Sequence, residues 1–225
     1  MQDTPTITLV LLIMTGFISY QAFNNPAMKA KLIFHPATIK SSGEYYRFLT
    51  SGFIHADWGH LFINMFVLYQ FGRFAEEFVF PLIFGAEMGR FVYLIFYLAA
   101  IVLSGVPTYF RYQDNSGYAA LGASGATSAL VFAYILFLPW EWFIFPPLPA
   151  FIVGIGFIIY SSYMDKRGTD NIGHNAHLWG AIFGLFFIVF SVMTLKPALM
   201  DIMIDQMFAG KTIIFDRLHE VMMRQ

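Results

Sequence analysis

The sequence predicts an all-α polytopic membrane protein: a bundle of six transmembrane helices with a long interfacial first loop. Two observations lead there. The 225-residue chain is 58% hydrophobic and 12% charged, against roughly 25% charged residues in a soluble domain. Its charge-poor apolar runs recur along the whole length, and about 20 mostly apolar residues make a helix that crosses a bilayer. Twenty-seven Phe, 12 Tyr and 4 Trp add an aromatic load suited to lipid and its interfaces. The net charge of −1 gives no reason to expect a nucleic-acid partner. The absence of cysteine excludes disulfides, thiol catalysis and cysteine-ligated metal. The N-terminal Met-Gln-Asp-Thr-Pro lacks a basic region, and no A-x-A-like site follows the first apolar run, so no cleaved signal peptide is expected.

The elements follow in order. A first span is expected over residues 6–23. The connection 24–57 is rich in aromatics (Phe34, Tyr45, Tyr46, Phe48, Phe53) and poor in flexible residues, so it is expected to fold compactly at the membrane interface. A second span begins at Trp58 and must run past Arg73 toward Phe78, with Glu76 and Glu77 crowding its end. A third is expected over 91–110, a fourth within 115–140, a fifth over 142–164 and a sixth over 171–195. All but the second have the required apolar length. These spans form one unit, residues 1–195. A polar connection covers 165–173. The tail 196–225 carries both charge signs, with Ile214, Leu218 and Val221 at helical spacing beside Asp216, Arg217 and Glu220. It reads as an amphipathic helix on the surface or at a partner contact. Of the 13 Lys and Arg, six fall on the side of both termini and seven on the other, so charge does not orient the protein.

Three polar constellations stand in or beside these runs, where polar groups are expensive and mark functional sites. The first is Gly122-Ala123-Ser124-Gly125-Ala126. Ser124 among small residues reads as an exposed nucleophile or as close helix packing. Pro139 limits its helix at the far end, leaving about 15 residues, or about 22 Å, short of the ~30 Å hydrocarbon core. Ser124 would then begin a helix below the surface, beneath irregular chain that must line a protein-enclosed or water-filled cavity. Hydrolysis needs such a cavity. The second is His177 with Gly180 and Gly184, spaced i, i+3, i+7 on one helix face. The glycines allow another helix to approach, and docking on Gly125-Ala126 brings His177 to Ser124. A proton relay or a satisfied structural histidine are the other readings of His177. No Asp or Glu shares its helical face, so the arrangement reads as a Ser–His dyad, His177 serving as base and then acid. The third is His60 and Asn64, i and i+4, both able to donate to a developing oxyanion. As metal ligands they are a poor set and would need His55 and His177 as well; no metal is expected.

His60-x3-Asn64, Gly122-x-Ser124-Gly125 and Ala176-His177-x2-Gly180-x3-Gly184, in this order, resemble the rhomboid intramembrane serine proteases over about residues 45–195. The resemblance implies Ser124 as nucleophile, His177 as its partner, and His60, Asn64 and the Ser124 backbone N–H as the oxyanion site. It implies first-loop anchoring by Arg47 and by Glu76 of Gly72-x3-Glu76, and a structural or accessory role for His55. Phe80 stands where the family's pattern continues with Gly, which puts the turn after the second span in question. Ser128 stands where some members carry a tyrosine stacked on the histidine. The segment 165–173 would cap the site and the fifth helix would flank lateral entry. The implied partners are transmembrane-segment protein substrates and the lipid bilayer, the implied cofactor is none, and the expected location is a bacterial inner membrane. A catalytically silent relative that binds transmembrane helices is the alternative, although such relatives usually lose the serine or histidine. A transporter is a third reading, but it requires repeated halves and matched broken helices that the sequence does not display.

Overall fold

The computed structural model describes residues 6–144, 146–167 and 173–223. Helix α1 spans Thr6–Asn24. Three short helices fill the long connection: α2 (Pro26–Leu32), α3 (Pro36–Ser42) and α4 (Arg47–Thr50), the last running into a 3₁₀ turn at Ser51–Phe53. Helix α5 (Trp58–Val67) continues through two π segments, Leu68–Gly72 and Ala75–Val79, into α6 (Phe80–Phe84). The remaining helices are α7 (Ala86–Tyr112), α8 (Ser124–Phe137), α9 (Ala150–Arg167), α10 (His174–Leu195), α11 (Pro197–Ala209) and α12 (Ile214–Met223). No strand occurs among the described residues.

Among the described residues, three helices are long and apolar enough to cross a membrane: α1, α7 and α10. The fifth expected span is shortened at its start. Pro146, Pro147 and Pro149 cannot continue a helix, so α9 begins only at Ala150. Helix α8 has 14 residues, about 21 Å of length. It occupies the middle of the bundle: Gly125–Leu130, Phe132, Ala133, Ile135 and Phe137 are all buried. A helix enclosed on most of its surface needs no charged face, and α8 carries no charged residue.

Small residues set the packing. On α10, a methyl group on Gly180 would overlap the carbonyl of Gly125, and one on Gly184 would lie 2.5 Å from the carbonyl oxygen of Ala129. The two backbones therefore meet directly, as small-residue faces permit. Helix α1 buries Thr8, Leu11, Thr15, Ser19 and Ala22, one per turn, while Ile13 and Phe17 on its far side are exposed. Phe80 is fully buried among Phe84, Tyr93, Phe96 and Phe187. The chain keeps its helix through Phe80 and reverses at Gly85 instead.

Glu76 does not anchor the first loop as expected. Its buried carboxylate accepts hydrogen bonds from the Ile7 and Thr8 N–H groups, both at 2.8 Å. These are orphan donors of the first turn of α1, and an anion at a helix N-terminus also meets the positive end of the helix dipole. Arg47 bonds to other residues of the first loop. Its guanidinium donates to the carbonyls of Ala30 (2.8 Å) and Ile33 (3.0 Å) at the end of α2, and to Glu44 at 2.6 Å.

The tail departs from a surface appendage. Leu199, Ile202 and Met203 of α11 and Ile214 of α12 belong to the main hydrophobic core. Gln206 is fully buried. Its amide donates to the carbonyls of Phe137 (2.9 Å) and Leu136 (3.4 Å), and Trp140 Nε1 donates to the Gln206 carbonyl at 2.8 Å. The last carbonyls of a helix have no partner within it, and Gln206 supplies that donor for α8. Helix α12 follows with the expected amphipathic pattern, an Arg217–Asp205 ion pair joining it back to α11.

Candidate active site

Ser124 is the first residue of α8. The irregular chain leading to it is held by the first loop. Phe34 and Ala120 exchange backbone hydrogen bonds at 3.0 Å, and the Gly122 N–H donates to the Ser51 carbonyl at 2.9 Å. Backbone polar groups of this irregular chain are thus paired within the protein. Gly122 has φ +118°, and a methyl group on it would lie 2.7 Å from His60 Cε1 and 2.9 Å from His60 Nε2. Only glycine suits both that conformation and that contact.

Ser124, His177 and Asn64 line one cavity of about 180 Å³, whose walls also include Val67, Phe132 and Phe157. The face carrying His177, Gly180 and Gly184 is the one docked on α8. His177 is half-buried and stacks on Phe157 of α9, ring centroids 6.0 Å apart and planes 22° apart. Ser124 also lines a smaller cavity of about 50 Å³, bounded in part by Ser51, Ser104, Thr108 and Tyr118. Both volumes exceed what one water needs, and the hydroxyl-bearing walls of the smaller cavity favour its entry.

Asn64 is buried and fixed at both ends of its amide. Its Nδ2 donates to the His60 carbonyl at 2.9 Å, and its Oδ1 accepts from Thr127 Oγ1 at 3.2 Å. One Nδ2 hydrogen remains for the cavity. Thr127, one turn past Ser124, is a positioning group that sequence reasoning missed; a hydroxyl three residues after the serine in an apolar helix was the available signal. His60 lies against Gly122 rather than among the residues lining the Asn64–Ser124–His177 cavity. Its Nδ1 accepts from the Ala56 N–H at 3.5 Å, which in a neutral ring leaves the proton on Nε2, the nitrogen nearest Gly122. Asp57 caps the start of α5 by accepting from the His60 N–H at 2.8 Å, a bond that lowers its carboxyl pKa.

His55 is fully buried beneath this group. The Ser19 hydroxyl donates to the Phe53 carbonyl at 3.0 Å, so His55 Nδ1–H donates to Ser19 Oγ at 2.9 Å. His55 Nε2 then accepts from the Ala123 N–H at 3.3 Å. One imidazole thereby links α1, the first loop and the residue before Ser124. Burial pushes its pKa down to about 3, with His60 a lesser contributor.

At the open end, Thr108 donates to Asn175 Oδ1 at 2.8 Å, Asn175 Nδ2 to Asp165 at 3.3 Å, and Arg111 to Asp165 at 2.7 Å. This chain of bonds ties α7, α9 and α10 together two residues before His177. Of the expected cap 165–173, residues 168–172 lie outside those described. Among the described residues no group of three His, Cys, Asp or Glu is placed to hold a metal.

The site and bundle define a helical membrane-protein fold with a serine, a histidine and an amide gathered at the start of a short central helix. A rhomboid domain profile matches residues 42–194, and the chain belongs to the rhomboid family. Two proteins of Arabidopsis thaliana align with it. "RHOMBOID-like protein 12, mitochondrial" is 35% identical over 178 residues, covering 73% of this chain and 52% of that protein. "Rhomboid-like protein 11, chloroplastic" is 29% identical over 159 residues, covering 64% and 51%. The chain spans about half the length of these relatives. Their names place both in organelles, so the expected bacterial inner membrane has no support from them.

Proposed function

We propose that this chain is an intramembrane serine endopeptidase that cleaves within or beside transmembrane segments of other proteins. The observation that carries this reading is the single cavity lined by Ser124, His177 and Asn64 with apolar walls. Such a site admits an extended apolar segment while keeping a nucleophile, a base and a hydrogen-bond donor at one point. Six passes through the bilayer complete the reading, with the helical run 58–84, α8 and α9 joining the three long spans.

In the proposed reaction Ser124 Oγ attacks the scissile carbonyl and its proton passes to His177. The negative charge forming on the carbonyl oxygen is met by the free Nδ2 hydrogen of Asn64 and the Ser124 N–H; His60 Nε2–H, set beside Gly122 outside the walls of that cavity, is the third donor only by resemblance to the family. His177 then gives its proton to the departing amine, leaving an acyl group on Ser124. Water attacks the acyl carbon, loses a proton to His177, and the carboxylic acid leaves as Ser124 Oγ regains that proton. The hydroxyl-lined cavity beside Ser124 is a fitting source for this water.

The test is incubation of the purified chain, in liposomes, with a single-span substrate. Wild type is expected to cleave it, while Ser124→Ala and His177→Ala are expected to be inactive. Cleavage that persists in Ser124→Ala overturns the assignment. Binding of the span without cleavage by wild type favours a silent helix-binding relative.

A further inference from the structure

We propose that Phe157 is a positioning residue for His177, so that the base is oriented by α9 rather than by its own helix alone; this rests on the dyad assigned above. Helix α9 presents Phe157 and Tyr160, three residues apart, to His177 and His174 of α10, also three residues apart. Phe157 stacks on His177 at 6.0 Å and 22°. Tyr160 meets His174 edge-on at 5.5 Å and 81°. The two contacts run in antiparallel register, one turn of α9 matched to one turn of α10. Both separations lie in the range of favourable ring pairs.

The stack is itself supported. Phe157 packs on Phe132 of α8 at 5.8 Å, and Phe132 is buried and lines the same cavity as Ser124. Beside these contacts, the Arg111–Asp165–Asn175–Thr108 chain of bonds also joins α9 to α10. Imidazole rotation about χ2 is intrinsically broad. A ring laid nearly parallel over one face narrows that rotation. Helix α9 thus acts on the reaction through His177, without its ring touching the reacting atoms.

The experiment measures the labelling rate of the purified full chain by a small fluorophosphonate. Ser124 Oγ bonds to phosphorus, fluoride leaves, and the hydroxyl proton passes to His177. The probe needs no helical substrate to enter, so it reports on the dyad and the cavity around it without substrate passage. Phe157→Leu is expected to slow labelling about two- to tenfold, the worth of one aromatic stack, and Phe157→Tyr to restore it. On a single-span substrate the loss is expected in kcat, with KM held within twofold. Phe157→Met serves the same purpose should the leucine variant fail to fold. Labelling of Phe157→Leu or Phe157→Met at the wild-type rate, a tyrosine variant as slow as leucine, or a loss confined to KM would overturn the inference. Absence of wild-type labelling at Ser124 overturns the dyad itself, and this inference with it.

Discussion

Gly184→Ala tests the packing that brings the base to the serine. The added methyl would sit 2.5 Å from the Ala129 carbonyl oxygen, whereas ordinary contacts begin at 3.4 Å. Helix α10 must therefore retreat from α8 by about 0.9 Å, the difference of those two distances. Overpacking of this kind costs about 1–3 kcal/mol. His177 lies two turns away on the same face of a rigid helix and moves with it. A misplacement of about 1 Å at reacting groups lowers rates about 10²-fold. The assay is cleavage of a single-span substrate by wild type and variant at matched folded concentration, with thermal unfolding in detergent alongside. The expected result is a large fall in kcat with a modest fall in the unfolding midpoint. A folded Gly184→Ala protein cleaving at the wild-type rate would refute the claim that the α8–α10 contact sets the dyad.

Other perturbations reach the supporting structure. Gln206→Leu removes the donor to the Leu136 and Phe137 carbonyls and should destabilise the protein by about 1–3 kcal/mol, read as a lower unfolding midpoint; an unchanged midpoint would show that the tail does not cap α8. Glu76→Gln puts an amide NH₂ opposite one of the two N–H groups that the carboxylate now accepts, and should cost about 1.5–3 kcal/mol by the same measurement. His55 gives a pH signature. Its folded pKa of about 3 lies below the ordinary 6.5, so the unfolded chain binds the proton first. Its stabilisation is complete above pH 6.5 and declines by up to about 1.4 kcal/mol per pH unit as pH falls toward 3. Unfolding midpoints followed from pH 7 to pH 4 should fall less steeply in His55→Gln, and parallel curves would contradict the assignment.

Much of the site geometry was legible because it rests on short-range rules. Pro139 and the Gly122–Gly125 string delimit α8 to within a residue or two of Ser124–Phe137, and the spacing of His177, Gly180 and Gly184 names the face that docks on it. The Pro146–Pro149 cluster carried the signal that shortens α9, although hydropathy alone reads through it. Helix α11 had a readable pattern too, Pro197 at its start and Leu199, Ile202, Met203 and Gln206 along one face. Its burial against α8 is a long-range fact. The same holds for Glu76, whose partners lie 68 and 69 residues away, and for Phe157, one of many aromatic residues until α9 is laid against α10.

The proposed reaction stands or falls on Ser124 being a nucleophile activated by His177. The most direct measurement is mass-spectrometric mapping of a fluorophosphonate adduct on the purified chain. A single adduct is expected on Ser124 in wild type, and none on that residue in His177→Ala. Labelling of Ser124 at equal rate without His177, or an adduct on another residue with Ser124 untouched, would contradict it.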